Sequence, residues 1–186
     1  MAPFPSILAP RRRRHERAGF ALYTEAVANA RSPYLYAALG APDTLDGRFD
    51  VVGLQVILLI DRLRGAAPPG PELAQAVFDA MFSDMDLSLR EMGVGDLSVG
   101  KKVRAMWEAF HGRAAAYAPA LEAGDAAALA LALTRNVWRG ADPPSGAAET
   151  LARIALAQRA HLAGQTLDDL AAGTVAFLAP EAALPR

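Results

Sequence analysis

Three local patterns in this chain combine residue types and spacings that could do chemistry. Gly95, Gly100 and Lys101 satisfy G-x-x-x-x-G-K, the opening of a loop whose backbone N–H groups and lysine hold the phosphates of a nucleotide. Lys102 then stands where Ser or Thr would ligate magnesium, and the preceding residues read as a helix instead of the strand that launches such loops. Asp84 and Asp86 begin like a calcium loop, yet Gly95 occupies the position of its bidentate glutamate and the required central glycine is absent. His15, His111 and His161 lie in separate segments, and none has a second histidine at i+3 or i+4. A lone axial haem ligand carries no sequence signature. No G-x-S-x-G elbow occurs, and the absence of cysteine removes thiolate metal sites, iron–sulfur clusters and cysteine nucleophiles. These residues therefore point to no catalytic group, no cofactor and no metal, which makes an enzyme the weaker class.

Charge placement is more informative. Lys101, Lys102 and Arg104 fall in the first turns of a helix, where the positive end of the macrodipole disfavours cations. One explanation is an acidic neighbourhood of Asp84, Asp86, Glu91 and Asp96 that supplies intramolecular ion pairs; the other is a partner. Both hold if the polar faces of two consecutive helices make one docking surface, with Asp84, Asp86, Arg90, Glu91, Lys101, Lys102 and Arg104 as its partner-binding residues. A second cluster, Arg11, Arg12, Arg13 and Arg14 with Arg17, would be attracted to anionic lipid headgroups or RNA phosphates at about 1 kcal/mol per residue. The bland alternative is a solvated basic N-terminus.

The elements that must position these residues are helical. The chain of 186 residues, 53% hydrophobic and 21% charged, suits one compact domain with an Ala- and Leu-rich core. Its net charge of -1 gives no overall field for DNA. Arg11–Arg14 ahead of Ala28-Asn29-Ala30 superficially resembles a cleaved leader, but Tyr23, Thr24 and Glu25 break the apolar stretch. The apolar run Val51–Ile60 falls short of the roughly 20 residues that span a bilayer.

Gly and Pro punctuation divides the chain into about seven helices. They cover Arg11–Ala30, Tyr34–Leu39, Arg48–Arg64, Glu72–Met92, Ser98–Tyr117, Asp125–Arg139 and Ser145–Ala163, and Thr166-Leu167-Asp168-Asp169 opens a last short one with capping-box spacing. Arg48–Arg64 is apolar on nearly every side and is expected at the buried centre. Glu72–Met92 and Ser98–Tyr117 should form an antiparallel hairpin, with Asp96 or Ser98 as N-cap of the second helix. There, Val99, Val103, Met106, Trp107, Phe110 and Tyr117 make the apolar face. No strand pattern is found. The expected organisation is an all-α bundle: residues 1–10 flexible, 11–179 the helical domain, and 180–186 a loose tail.

Longer stretches carry a resemblance. Gly40-Ala41-Pro42-Asp43-Thr44-Leu45-Asp46-Gly47-Arg48-Phe49-Asp50 and the apolar helix after it resemble the first block of the ubiquinol-cytochrome c chaperone family. The second block is resembled closely by residues 78–86, by Leu89-Arg90-Glu91-Met92-Gly93-Val94-Gly95-Asp96-Leu97-Ser98-Val99-Gly100-Lys101-Lys102-Val103, and then by Phe110, Gly112-Arg113 and Ala116-Tyr117. The likeness is strong from about Tyr34 to Tyr117 and weaker beyond. It implies a non-enzymatic assembly factor of the cytochrome bc1 complex that binds newly made cytochrome b or another subunit, with the ribosome and a small partner protein as further contacts. The brief extension before the first helix implies a bacterial-type short form, in the cytoplasm and at its membrane face. Gly53, Leu54, Gln55 and Val56 depart from the family pattern, which often places a histidine in that stretch, so no functional role is carried over to them. A peripheral module for anionic lipid is the alternative class, ahead of a nucleotide- or haem-binding protein.

Overall fold

The computed structural model describes residues 8–183, with side chains from Arg13 onward. Eight α-helices and one short 3-10 turn make up the described residues: α1 (Leu8–Ala30), α2 (Pro33–Ala37), α3 (Leu45–Arg64), α4 (Gly70–Glu91), α5 (Asp96–Ala123), α6 (Ala126–Val137), α7 (Ala147–Ala163) and α8 (Leu167–Ala171), then Pro180–Ala182. No strand occurs among them. The first helix thus begins at Leu8, within the segment expected to be flexible. Pro180, expected in a loose tail, is buried; residues 184–186 lie outside the described part.

Helix α3 is the axis of the bundle, because Phe49 through Ile60 is buried without interruption and so turns apolar side chains to every neighbour. It packs on α1, α4 and α7. It starts three residues earlier than its apolar pattern, since the Thr44 hydroxyl accepts from Gly47 N at 3.1 Å and caps the first turn. Gly47 cannot be exchanged freely there: a Cβ would collide with the Pro42 carbonyl oxygen. Helices α1 and α4 also meet closely, and a Cβ on Gly19 would lie 2.5 Å from that of Ala76. Asp125 caps α6 by accepting from the amides of Ala127 and Ala128, each at 2.9 Å, and Thr166 caps α8, as the spacing indicates.

The hairpin of α4 and α5 differs from expectation in three respects. Gly95 is the N-cap of α5 with no side-chain cap, because the Asp96 carboxylate is taken by Arg90 at 2.5 Å. The helix runs on to Ala123, through Pro119, whose ring forgoes one backbone hydrogen bond. Trp107 does not join the apolar face. It is 45% exposed and tilts over the His111 ring at a centroid distance of 4.0 Å. Between Ser83 and Ala109 only Leu89 and Val99 are buried, while Met85 and Met106 are half-buried against the core, so the turn of the hairpin forms a largely exposed arm.

Candidate functional site

An open groove of about 780 Å³ lies between the second half of α1, α2, the first turns of α3 and the last turns of α4. Val27, Leu45, Phe49, Val52, Met85 and Met92 give it apolar side chains, and Arg31, Arg48, Asp43, Asp84 and Glu91 give it charge. Each wall is tied. Tyr23 on α1 donates to Asp84 Oδ2 on α4 at 2.7 Å. Burial raises the Tyr23 hydroxyl far above its ordinary pKa, with the bond to Asp84 adding to the shift, so the tyrosine remains a donor. Tyr36 on α2 donates to the Ala30 carbonyl at 3.0 Å. Arg48 Nε reaches Asp43 Oδ1 at 2.5 Å across the turn before α3 and holds that carboxyl below its usual range.

Behind the groove lies a buried ionic network. Asp50 is wholly buried and faces Arg113 Nη2 on α5 at 2.5 Å, an ion pair without directed hydrogen-bond geometry, and Arg139 Nε at 3.0 Å. Arg139 follows α6 with a left-handed φ of 55° and also reaches Asp46 at 3.1 Å. Burial pushes the Asp50 carboxyl up to about 6, against the pull of Arg113 and Arg139. The Arg113 guanidinium lies 5.6 Å from the ring centroid of Phe49, the residue that lines the groove from α3. Trp138 Nε1 donates to the Gly40 carbonyl at 3.1 Å. Together these contacts clamp the start of α3, one groove wall, to α5 and to the turn after α6.

The charged residues singled out from the sequence separate into four places. Asp84 and Glu91 line the groove. Asp86 and Asp96 both bond to Arg90, at 2.6 and 2.5 Å, and so lock the two helices of the hairpin together. Lys101 and Lys102 are exposed on α5, Arg104 pairs with Glu108 at 3.0 Å, and neither lysine has an ion-pair or hydrogen-bond partner among the described residues. The acidic neighbourhood forms no ion pair with the lysines: Asp86 and Asp96 are engaged by Arg90, Asp84 by Tyr23, and Glu91 lines the groove. Arg13 and Arg14 are exposed at the start of α1, and Arg14 borders a second open cavity, of about 870 Å³, shared with Glu72, Asp79 and Asp168. The side chains of Arg11 and Arg12 lie outside the described residues.

The Gly95–Lys101 stretch forms a turn between two helices and the start of the second, not a strand-to-helix loop. His111 Nδ1 lies 2.9 Å from the Trp107 carbonyl. Among the described residues no group of three or more His, Asp or Glu is placed to hold a metal ion. Sequence reading missed the groove cations Arg31 and Arg48 and the Asp50–Arg113–Arg139 network. Its one local signal is an aspartate inside the most apolar helix of the chain.

Fold and site together define a class: an all-helical bundle open on one side through an amphipathic groove, with a helical arm beside it. The chain belongs to the ubiquinol-cytochrome C chaperone family, whose family model matches residues 37–177. Among solved structures, the crystal structure of the Cbp3 homolog from Brucella abortus is similar, with 35% sequence identity and a TM-score of 0.81 over 94% of this chain and 96% of that one. No curated protein matches.

Proposed function

We propose that this chain promotes biogenesis of ubiquinol-cytochrome c reductase by holding a newly made subunit, cytochrome b, through protein–protein contacts in the groove between α1, α3 and α4. The observation that carries this reading is the groove itself. It brings apolar side chains from four helices into one concavity beside charged residues of both signs, a composition that suits one face of an amphipathic or membrane-destined helix. Met85 and Met92 suit such a role because an unbranched thioether side chain adapts to different shapes. Family membership supports the chaperone part of the reading. The work is non-enzymatic here: the groove offers shape and charge, and no reacting group is needed. No described helix is long and apolar enough to cross a membrane. Receiving newly made cytochrome b would put the protein in the cytoplasm, at the cytoplasmic face of the membrane.

A photo-crosslinking amino acid at Met92, which is 52% exposed on the groove margin, tests this in cells synthesising cytochrome b. The expected result is an adduct containing cytochrome b, absent when the crosslinker replaces Leu131 on the exposed face of α6. Equal yields from both positions, or no adduct from a folded protein at Met92, would overturn the reading.

A further inference from the structure

We infer that the end of the α4–α5 arm is a contact site for an anionic phospholipid surface, with Leu97 as the inserting side chain and Lys101 and Lys102 as the headgroup cations. The starting observation is exposure. Leu97 is 94% exposed, and Leu87 at 54% and Trp107 at 45% share the same arm. A leucine so fully in water contributes nothing to the fold, while its transfer into an apolar layer is favourable. Leu97, Lys101 and Arg104 follow one another at i,i+4 and i+3 spacing and so share a face of α5, with Trp107 one further step along the helix. Leucine, tryptophan and lysine on one helix surface is the composition of segments that lie in the membrane interface.

Charge decides between lipid and protein as the occupant. The arginines of the arm are engaged internally, Arg90 with Asp86 and Asp96 and Arg104 with Glu108. Among the described residues of the arm, Lys101, Lys102 and Glu91 remain without an intramolecular partner, and Glu91 belongs to the groove wall. The two free cations are thus lysines. A lysine is a flexible point charge without the forked geometry that fixes an arginine on one carboxylate, and it suits a fluid layer of phosphates. The apolar side chains around them do not form one continuous stripe. They are separated by charged residues, which fits insertion of single side chains between headgroups better than burial in a shaped protein pocket. The glycines at 93, 95 and 100 have open space where a Cβ would be, so no described residue covers them at this end of the hairpin.

The test is flotation of the purified full chain with vesicles of phosphatidylcholine alone or with phosphatidylglycerol added. It needs no client protein, so its outcome is independent of the groove reading. The chain is expected to float with the anionic vesicles and not with the zwitterionic ones, and to be released by salt. Lys101→Gln with Lys102→Gln should lower the partition coefficient on the order of thirtyfold, and Leu97→Ser by about tenfold, with helicity and melting unchanged. Arg13→Gln with Arg14→Gln should leave most of the binding in place. The inference is overturned if the wild type does not float with anionic vesicles, if the arm variants float like the wild type, or if only the α1 variant is lost. Arm variants that float normally but lose crosslinking to cytochrome b would make the arm a protein contact, which also overturns it.

Discussion

Tyr23 on α1 donates its hydroxyl to Asp84 on α4 across 2.7 Å, and both residues line the groove, so one hydrogen bond joins two of its walls. The phenol is buried, 3% exposed, and its partner is a carboxylate. A bond of that kind contributes more than a neutral one because the donor would otherwise be buried without an acceptor.

Tyr23→Phe should therefore lower unfolding free energy by about 1–2 kcal/mol, read as a fall in the urea midpoint at constant slope. Asp84→Asn keeps an acceptor oxygen and should cost less. Equal stability of Tyr23→Phe and wild type would mean that the bond does not hold α1 against α4.

The network behind the groove should show the non-additivity of a buried ion cluster. Arg113→Met leaves the Asp50 carboxylate buried with Arg139 alone and is expected to destabilise by about 3–5 kcal/mol. Adding Asp50→Asn removes the stranded charge, so the double variant should be less destabilised than Arg113→Met alone. Additive losses would show that the two residues do not interact energetically.

Asp50 also makes stability depend on pH. Its carboxyl is pushed from an ordinary value of 3.8 up to about 6 by burial. The folded chain thus holds this proton more tightly than the unfolded chain. The stability contributed is fully present below the unfolded value and is lost as pH rises through about 6. Measured against Asp50→Asn, the melting temperature of the wild type should gain as pH is lowered from about 7 to about 5. A relative loss over that range would mean that the arginines outweigh burial.

The helices themselves were legible in the sequence because periodic apolar residues and glycine stops are local signals. The apolar run Val51–Ile60 marks the buried axis, and Thr166 and Asp125 mark helix starts that the structure shows as side-chain caps. The start of α5 was not legible: Asp96 is a good capping residue by type, but Arg90 on the preceding helix takes its carboxylate. Trp107 departs from the expected apolar face because periodicity identifies such a face without saying whether a neighbouring helix covers it, and here the indole stays 45% exposed. The groove brings together Tyr23, Tyr36, Phe49 and Met92 from four helical segments. Arg139 reaches Asp50 across 89 positions of chain. Separations of that kind leave no mark in local spacing, although an aspartate within an apolar helix already requires a distant cation.

The central claim is that the groove serves assembly of the reductase. The measurement that tests it most directly is a reduced-minus-oxidised spectrum, with quinol-to-cytochrome c reductase activity, of membranes from a strain lacking the gene and carrying either wild type or Leu45→Asp with Met92→Asp. Both side chains are about half exposed at the groove, Leu45 at 46% and Met92 at 52%, so the charges alter its lining and spare the core. The wild type should restore the b-type haem signal and the activity, while the variant, purified with unchanged helicity and melting, should restore neither. Full restoration by the variant, or a deletion strain with normal spectrum and activity, would contradict the claim.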